Sequence, residues 1–388
     1  MSSGSSADLY LLLLGGVALV VVVGGLAEAG RLFRARSRRV APEDAAPMSA
    51  APGASFLQVA LGSLWVLDGV LQAQPAMPRG FAAGILAPVA HGQPGWLAGL
   101  LSWEEALWRA HPVHLTVATA LIQVGIGVAV LAGGSSRLGR LGLWASVGWG
   151  ILVWIGGEAL GGLLAPGASL LLGAPGGALA YVAAAGLLLA PPSVWEQRRV
   201  GRWVELGLGA LFLLGALAQM LPAEGFWSGA GLGPTLTSLA ATPQPTWISG
   251  PILGLAHLAQ SQPFLVNTCF LVILGAMGTA LLLGGAGRPT TTLGLVLLFL
   301  IWWLGQDFGT LGTGIATDPN LAPLLAVLLL AAHRNRALHP AAPRPLPAAL
   351  RRVAVLGVAA IAVGCAVGVA YVPIGHPPAA PASLGPHG

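Results

Sequence analysis

The chain has 388 residues, of which 55% are apolar and only 8% charged, with a formal charge of +5 and a mean hydropathy of +0.80. No water-soluble single-core fold of this length tolerates that balance, so the chain reads as an all-α integral membrane protein. Every basic side chain is Arg; these sit in short stretches between apolar runs, where anionic lipid headgroups are their natural partners and a nucleic-acid role is set aside.

Apolar runs long enough for a hydrocarbon core of about 30 Å fall at 9–28, 56–74, 112–132, 141–160, 176–191, 203–221, 263–284, 291–306, 321–333 and 352–372, which predicts ten spans. Arg31, Arg34, Arg36, Arg38 and Arg39 follow the first, Arg137 and Arg140 the third, and Arg198, Arg199 and Arg202 the fifth. Arg288 follows the seventh, and Arg334, Arg336, Arg344, Arg351 and Arg352 the ninth, whereas only Arg79 and Arg109 fall on the opposite side. The positive-inside rule then puts the Arg-rich side in the cytoplasm and both termini outside. Ala27-Glu28-Ala29 resembles a signal-peptide cleavage site, but the Arg cluster follows the apolar run instead of preceding it, so the first span reads as an uncleaved anchor. Pro- and Ala-rich stretches at 41–54 and 340–348 read as linkers, and the tail from Pro373 to Gly388 as disordered. Abundant Ala, Gly and Pro, with Arg to the exclusion of Lys, suggest a GC-rich bacterial coding sequence.

Between the outer spans one unit is written twice. Leu61-Gly62-Ser63-Leu64-Trp65 and the following Asp68 and Gln72 read against Leu208-Gly209-Ala210-Leu211-Phe212, Gly215 and Gln219, with Pro75 and Pro222 equally spaced beyond. Trp154-Ile155-Gly156-Gly157-Glu158 reads against Trp302-Trp303-Leu304-Gly305-Gln306. Similarities in one order mark an internal repeat. An even number of spans returns the chain to its starting side, so the copies are expected to point the same way about an axis along the membrane normal. The expected architecture is a polytopic all-α membrane protein: two parallel tandem four-helix bundles plus one N-terminal and one C-terminal transmembrane helix. Its boundaries fall at 1–54 for the anchor and linker, 55–192 and 193–334 for the repeats, and 335–388 for the second linker, last helix and tail. The external loops 75–111 and 222–262 are equivalent, and Trp96 to Trp108 has the helical spacing of an interfacial segment, with Trp96, Trp103 and Trp108 at headgroup level.

Ionisable groups within a bilayer are costly and mark function first. Asp68 falls about 18 Å along its span at 1.5 Å per residue, in the outer half, and Glu158 and Asp307 fall near the outer ends of equivalent spans. Glu158 matches Gln306, Ala159 matches Asp307 and Asp68 matches Gly215. Asp68, Glu158, Gln306 and Asp307 are therefore expected to line an outward-facing acidic cavity between the copies, able to bind a metal cation, relay protons or hydrogen-bond a quinol headgroup. The plain alternative is that each acid caps or bonds a neighbouring helix. Gly157 with Gly161, and Gly305 with Gly309, are spaced for close helix packing, and Gln72 and Gln219 for bonds between helices. Asp318-Pro319-Asn320 reads as a turn that starts the ninth span, with a cation-binding lip as the alternative. His111 and His114, spaced i, i+3, could share a metal with a carboxylate, although the second copy has Gln262 and Leu265 there. Cys269 and Cys365 form no C-x-x-C pair, so thiol exchange on this chain is not expected.

The Leu-Gly-x-Leu-Trp start, the Gly-Phe steps (Gly80-Phe81 and Gly225-Phe226) and the Gly-rich helix ends resemble the DoxX-like superfamily of small bacterial membrane proteins, over roughly 56–191 and 203–333. That resemblance implies a place beside the quinone pool or a redox partner in the bacterial plasma membrane, as a membrane subunit or scaffold with quinone as the implied cofactor. A permease or channel-like role for a small solute or metal cation, and a structural assembly factor, stay open alongside it. So does whether the chain is itself an enzyme.

Overall fold

The computed structural model describes residues 51–133, 136–197 and 199–337. The expected first and tenth spans, most of the first linker, the second linker, the tail and Cys365 lie outside them. The first half runs through α1 (Pro52–Gln72), α2 (Met77–Phe81), α3 (Ala87–Ala90), α4 (Gly95–Ala110), α5 (Pro112–Gly133), α6 (Arg137–Ile155) and α7 (Gly177–Leu189). A short α8 (Pro192–Glu196) leads to the second half, formed by α9 (Arg199–Met220), α10 (Leu232–Ala240), α11 (Thr246–Ser261), α12 (Pro263–Gly284), α13 (Arg288–Leu304) and α14 (Leu321–Ala337). Among the described residues every regular element is helical.

Five helices, α1, α5, α6, α9 and α12, are long and apolar enough to cross a membrane; a sixth is added if α13 and the turn Asp307–Thr313, bent by 45°, count as one span. Sequence alone predicts eight spans in this region. The difference lies mainly in α7, whose 13 residues reach about 20 Å at the helical rise, and in the 17-residue α14. Both are interior helices: α14 packs on α1, α7, α9 and α13. Proline occupies the first turn of α1, α12 and α13, where its missing N–H costs no helical hydrogen bond.

The same contacts recur in both halves. On α1 against α5, a Cβ on Gly127 would stand 2.6 Å from the Gly62 carbonyl oxygen; on α9 against α12, a Cβ on Gly278 would stand 2.8 Å from that of Gly209. Small residues let these backbones approach closely, the main source of helix association where lipid is as apolar as the side chains. Beyond α6, the Trp154 indole donates to the Pro175 carbonyl at 2.7 Å, and beyond α13 the Trp302 indole donates to the Pro319 carbonyl at 2.7 Å.

These helix ends correct the expectation for the paired glycines. Gly157 with Gly161, and Gly305 with Gly309, do not form helical faces, because α6 stops at Ile155 and α13 at Leu304. The chain instead passes through left-handed turns, with positive φ at Ala159, Leu160, Gly161 and Gly162 and at Asp307, Phe308, Gly309 and Thr310. Gly161 is pressed against the Pro175 carbonyl and Gly309 against Pro319, so a side chain at either would collide with backbone. Gly305 lies against the Leu171 carbonyl.

One end of the molecule is basic. Arg336 and Arg202 both contact Glu205 at 3.3 Å, and Glu205 also accepts from the Ala286 N–H at 2.8 Å, joining α9, α14 and the α12–α13 turn. Arg334 lies over the Phe56 ring at 4.5 Å. Arg137, Arg140, Arg199 and Arg288 begin helices at this same end, whereas Glu158, Asp307 and Asp318 lie at the other.

Candidate functional site

A cavity of about 420 Å³ lies inside the first half, walled by α1, α2 with its π-helical continuation Ala82–Leu86, and α4 to α7. Only Thr317 and Asp318 reach it from the second half. It is therefore not the cavity between copies that the repeat leads one to expect, and its size suits a small molecule.

Its polar floor comes from three helices. Asp68 and Gln72 stand four residues apart on α1 and so share one face, Gln123 comes from α5 and Tyr181 from α7. Their exposures are 1%, 2%, 6% and 2%. Among the described residues, Gln72 Nε2, Gln123 Oε1 and the Trp149 indole Nε1 of α6 have no hydrogen-bond partner, while the Asp68 carboxyl and the Tyr181 hydroxyl face each other. Buried polar atoms are almost always paired, and each one left alone costs about 1–3 kcal/mol. Such a cluster around a cavity is the signature of groups held ready for a ligand or for water.

Above this floor stand Glu104, Glu158 and Asp318, and among the described residues no Arg, Lys or His lines the cavity. Glu158 accepts from the Ala178 N–H with both oxygens, at 3.0 and 3.2 Å, capping α7. Burial, reinforced by the neighbouring Asp318, pushes Glu158 up to about 8. Burial also raises the Asp318 carboxyl, against the bonds it accepts from the Thr317 hydroxyl at 2.8 Å and the Asn320 N–H at 2.7 Å. Glu104, packed on Gly156, is likewise raised by burial.

The remaining wall is aromatic. Trp65 and Tyr181 pack with centroids 4.4 Å apart, and Phe81 and Trp108 at 4.2 Å; the Trp65 indole is held by the Ser146 hydroxyl at 2.8 Å. The exposed lining residues are apolar: Trp103 on α4 at 64% and Leu152 on α6 at 56%. The cavity thus meets its surroundings through groups suited to lipid or the interface.

The second half is filled differently at the matching position. Gly215, at the position of Asp68, faces Leu170, and the loop carrying Leu170 fills the region. Gln219 donates to the Ser169 hydroxyl at 2.7 Å, and Glu224 accepts from the Gly167 and Ala168 N–H groups at 2.7 and 3.0 Å. In return, Ile315 of the second half packs on Gly80 and Gly84 of the first.

Of the residues singled out by sequence, Asp68 and Glu158 meet at the cavity. Gln306 and Asp307 do not line it. The Gln306 Oε1 accepts from the Ala322 N–H at 3.0 Å, capping α14 as Glu158 caps α7. Asp307 accepts from the Thr242 hydroxyl at 2.9 Å and the Gln244 amide at 3.2 Å, a local tie in the second half. The Gln219 side chain donates to Ser169 in the loop after α6 and its backbone carbonyl accepts from the Asn267 amide of α12, while its counterpart Gln72 faces the cavity. His111 and His114 are exposed, with ring centroids 6.5 Å apart, and among the described residues no group of three His, Cys, Asp or Glu is disposed to hold a metal ion. Gln123, Tyr181, Glu104 and Trp149 belong to the site without having been singled out, and Asp318, read as a turn or a cation-binding lip, joins them. A signal did exist, because each of Gln123, Trp149, Tyr181 and Asp318 is polar where the second or first copy has Leu274, Leu297, Leu325 or Ala174. Comparison of the chain with family models, curated proteins and solved structures finds no match.

Proposed function

We propose that this chain is a DoxX-like multi-pass protein of a bacterial plasma membrane that binds a quinone headgroup in an outward-facing acidic cavity, as the membrane subunit or scaffold of a redox process. In this reading the helices form two parallel four-helix units, with a further span at each end and both termini outside. The observation that carries it is the cluster of almost fully buried polar side chains, several without a hydrogen-bond partner among the described residues, in an aromatic cavity with an apolar, exposed mouth. A flat ring with polar substituents and a lipid-soluble tail matches all three properties: stacking surface from Trp65 and Phe81, hydrogen-bonding groups on Asp68, Gln72 and Gln123, and entry past Trp103 and Leu152.

A bound quinone supplies two-electron, two-proton chemistry. Gln72 and Gln123 orient the ring, and Trp65, Trp108 and Trp149 exclude water. Asp68 and Glu158 would hold or release the protons of the ring substituents, with Asp318 and Glu104 beside them in the lining. The electron partner is a separate redox subunit on the outer face.

Photolabelling tests this reading. A photoreactive azidoquinone in membranes containing the protein is expected to label peptides that carry Trp65 to Gln72 or Gln123. It should be displaced by unlabelled quinone, and labelling should fall at least about tenfold in Asp68→Leu, the loss expected when a buried polar contact goes. Labelling confined to the second half or to lipid-facing side chains sinks the proposal. The acidic lining, with no basic group among the described residues, favours a second reading, a permease for a small cation. Its mark would be cation flux in proteoliposomes that Asp68→Asn abolishes, with no azidoquinone labelling.

A further inference from the structure

We infer that a second, apolar groove between α7, α9 and α14 is the seat of the tenth expected span, residues 352–372. The inference rests on the reading of that segment as a span and is independent of what the first-half cavity binds. The repeat makes α7 with α9 the counterpart of α14 with α1. α14 packs directly on α1, but α7 and α9 are held apart by a groove of about 470 Å³. Its walls are leucines of all three helices, and its open side carries Ala183 and Gly186 of α7 with Trp203 and Gly207 of α9, all exposed. Nothing stands where a Cβ on Gly186 or Gly207 would go. Glycines facing open space let another backbone come close, which a helix exploits and an acyl chain does not.

The groove also needs a long cover. α7 has 13 residues, about 20 Å at the helical rise, against a hydrocarbon core of about 30 Å, and the irregular backbone of Pro175 and Gly176 lines the groove before its start. Irregular backbone is kept from lipid at membrane depth; an apolar helix of full length lying along α7 shields it. The chain itself supplies one. Residues 352–372 carry Gly357, Ala360, Gly364 and Gly368, which share one face at helical spacing, so that small residues would meet small residues. α14 lines the groove and ends at Ala337, at the basic end. From there the stretch 338–351 reaches roughly 45 Å at about 3.3 Å per residue, ample for a place beside a neighbouring helix about 8–10 Å away. Arg351 and Arg352 hold the start of the segment at that same end, so it would run antiparallel to α7 and α14. The first expected span leads instead into α1, which does not line the groove.

Oxidative cross-linking of the full-length protein in its membrane tests the inference, with Cys269→Ala and Cys365→Ala removing the native thiols. Gly207 lies eight residues beyond Arg199, and Ala360 eight beyond Arg352, so Gly207→Cys should join Ala360→Cys. The yield should fall several-fold at Val358→Cys and Ala362→Cys on the opposite face, since a disulfide needs Cα atoms within about 7 Å. Ala183→Cys with Gly364→Cys should join in the same way, a second pair in case one does not fold. Val296→Cys, on the exposed face of α13, should join neither partner. No link from either groove position, equal yields around the helix, links to the first span, or links between differently tagged copies overturn the inference. So does phospholipid that co-purifies with the protein and is lost in Gly207→Leu, without any cross-link. Membrane-impermeant labelling of Leu350→Cys and Ser383→Cys from opposite sides shows that the segment crosses; where it crosses and no link forms, this inference falls and the reading of the cavity stands.

Discussion

The two halves of this molecule share their skeleton and differ in what fills it. Both bring α1 against α5, or α9 against α12, on facing glycines, and both close a helix end with a Trp indole on a proline carbonyl. Yet Asp68, Gln123, Trp149 and Tyr181 of the first half stand where the second has Gly215, Leu274, Leu297 and Leu325. The one polar residue kept, Gln219, is bonded to Ser169 on an inserted loop. The comparison separates scaffold from site: what recurs is packing and capping, and what differs is the polar and aromatic lining of the first-half cavity. Glu158 belongs to both classes, since its capping role is matched by Gln306 but its charge is not.

The sharpest break in the comparison should come at the left-handed turns. Gly161→Ala drives a Cβ into the Pro175 backbone, whereas Gly309→Ala meets Pro319 at 2.8 Å. Each substitution also imposes left-handed strain of about 1–2 kcal/mol, so both should destabilise. Gly161→Ala is expected to lower the thermal midpoint more, and equal losses would contradict the tighter first turn. Next in size is Leu170→Ala, which removes the residue filling the second half and should cost about 3 kcal/mol in denaturant unfolding. Ligand affinity at the first cavity should be unchanged.

The smallest effect concerns protons. The raised Glu158 carboxyl contributes stability that is fully present below its ordinary value of 4.5 and is lost as pH rises through about 8. Thermal midpoints measured between pH 5 and 9 should therefore fall with rising pH, and Glu158→Gln should flatten that fall. Because Gln306 caps α14 with one oxygen, Glu158→Gln should keep the helix cap, whereas Glu158→Ala should lose about 1 kcal/mol. A wild-type slope that survives in Glu158→Gln would assign the titration to another group.

Much of the fold was legible because apolar runs are punctuated by Pro and Gly at positions that set helix ends. Pro112 and Pro263 open α5 and α12 where the hydropathy pattern begins them. The expected spans 141–160 and 291–306 overran Ile155 and Leu304 because Gly157-x3-Gly161 and Gly305-x3-Gly309 have the spacing of a packing face. Only tertiary contact with Pro175 and Pro319 turns them left-handed. Asp68 stood out since a lone carboxylate in an apolar run is costly. Gln123 and Tyr181 did not, because an amide or phenol is tolerated in a helix and shows its cost only once its neighbours are known to leave it unpaired. Asp318 reaches the cavity from the other half, a juxtaposition that no local pattern encodes. For the same reason Asp307 was expected at the cavity and is instead tied down by Thr242 and Gln244.

The exchange of outer loops carries a consequence for how the polypeptide must be assembled. Leu170 and Leu171 find their seat only on helices synthesised later, and Gly80 and Gly84 wait for Ile315, which comes later still. Neither copy is a finished module by itself, so a fragment ending near residue 192 would leave an apolar loop without its receptor. Two fragments produced together as separate chains are expected to recover one folded body by trading these straps, each half supplying a seat that the other lacks.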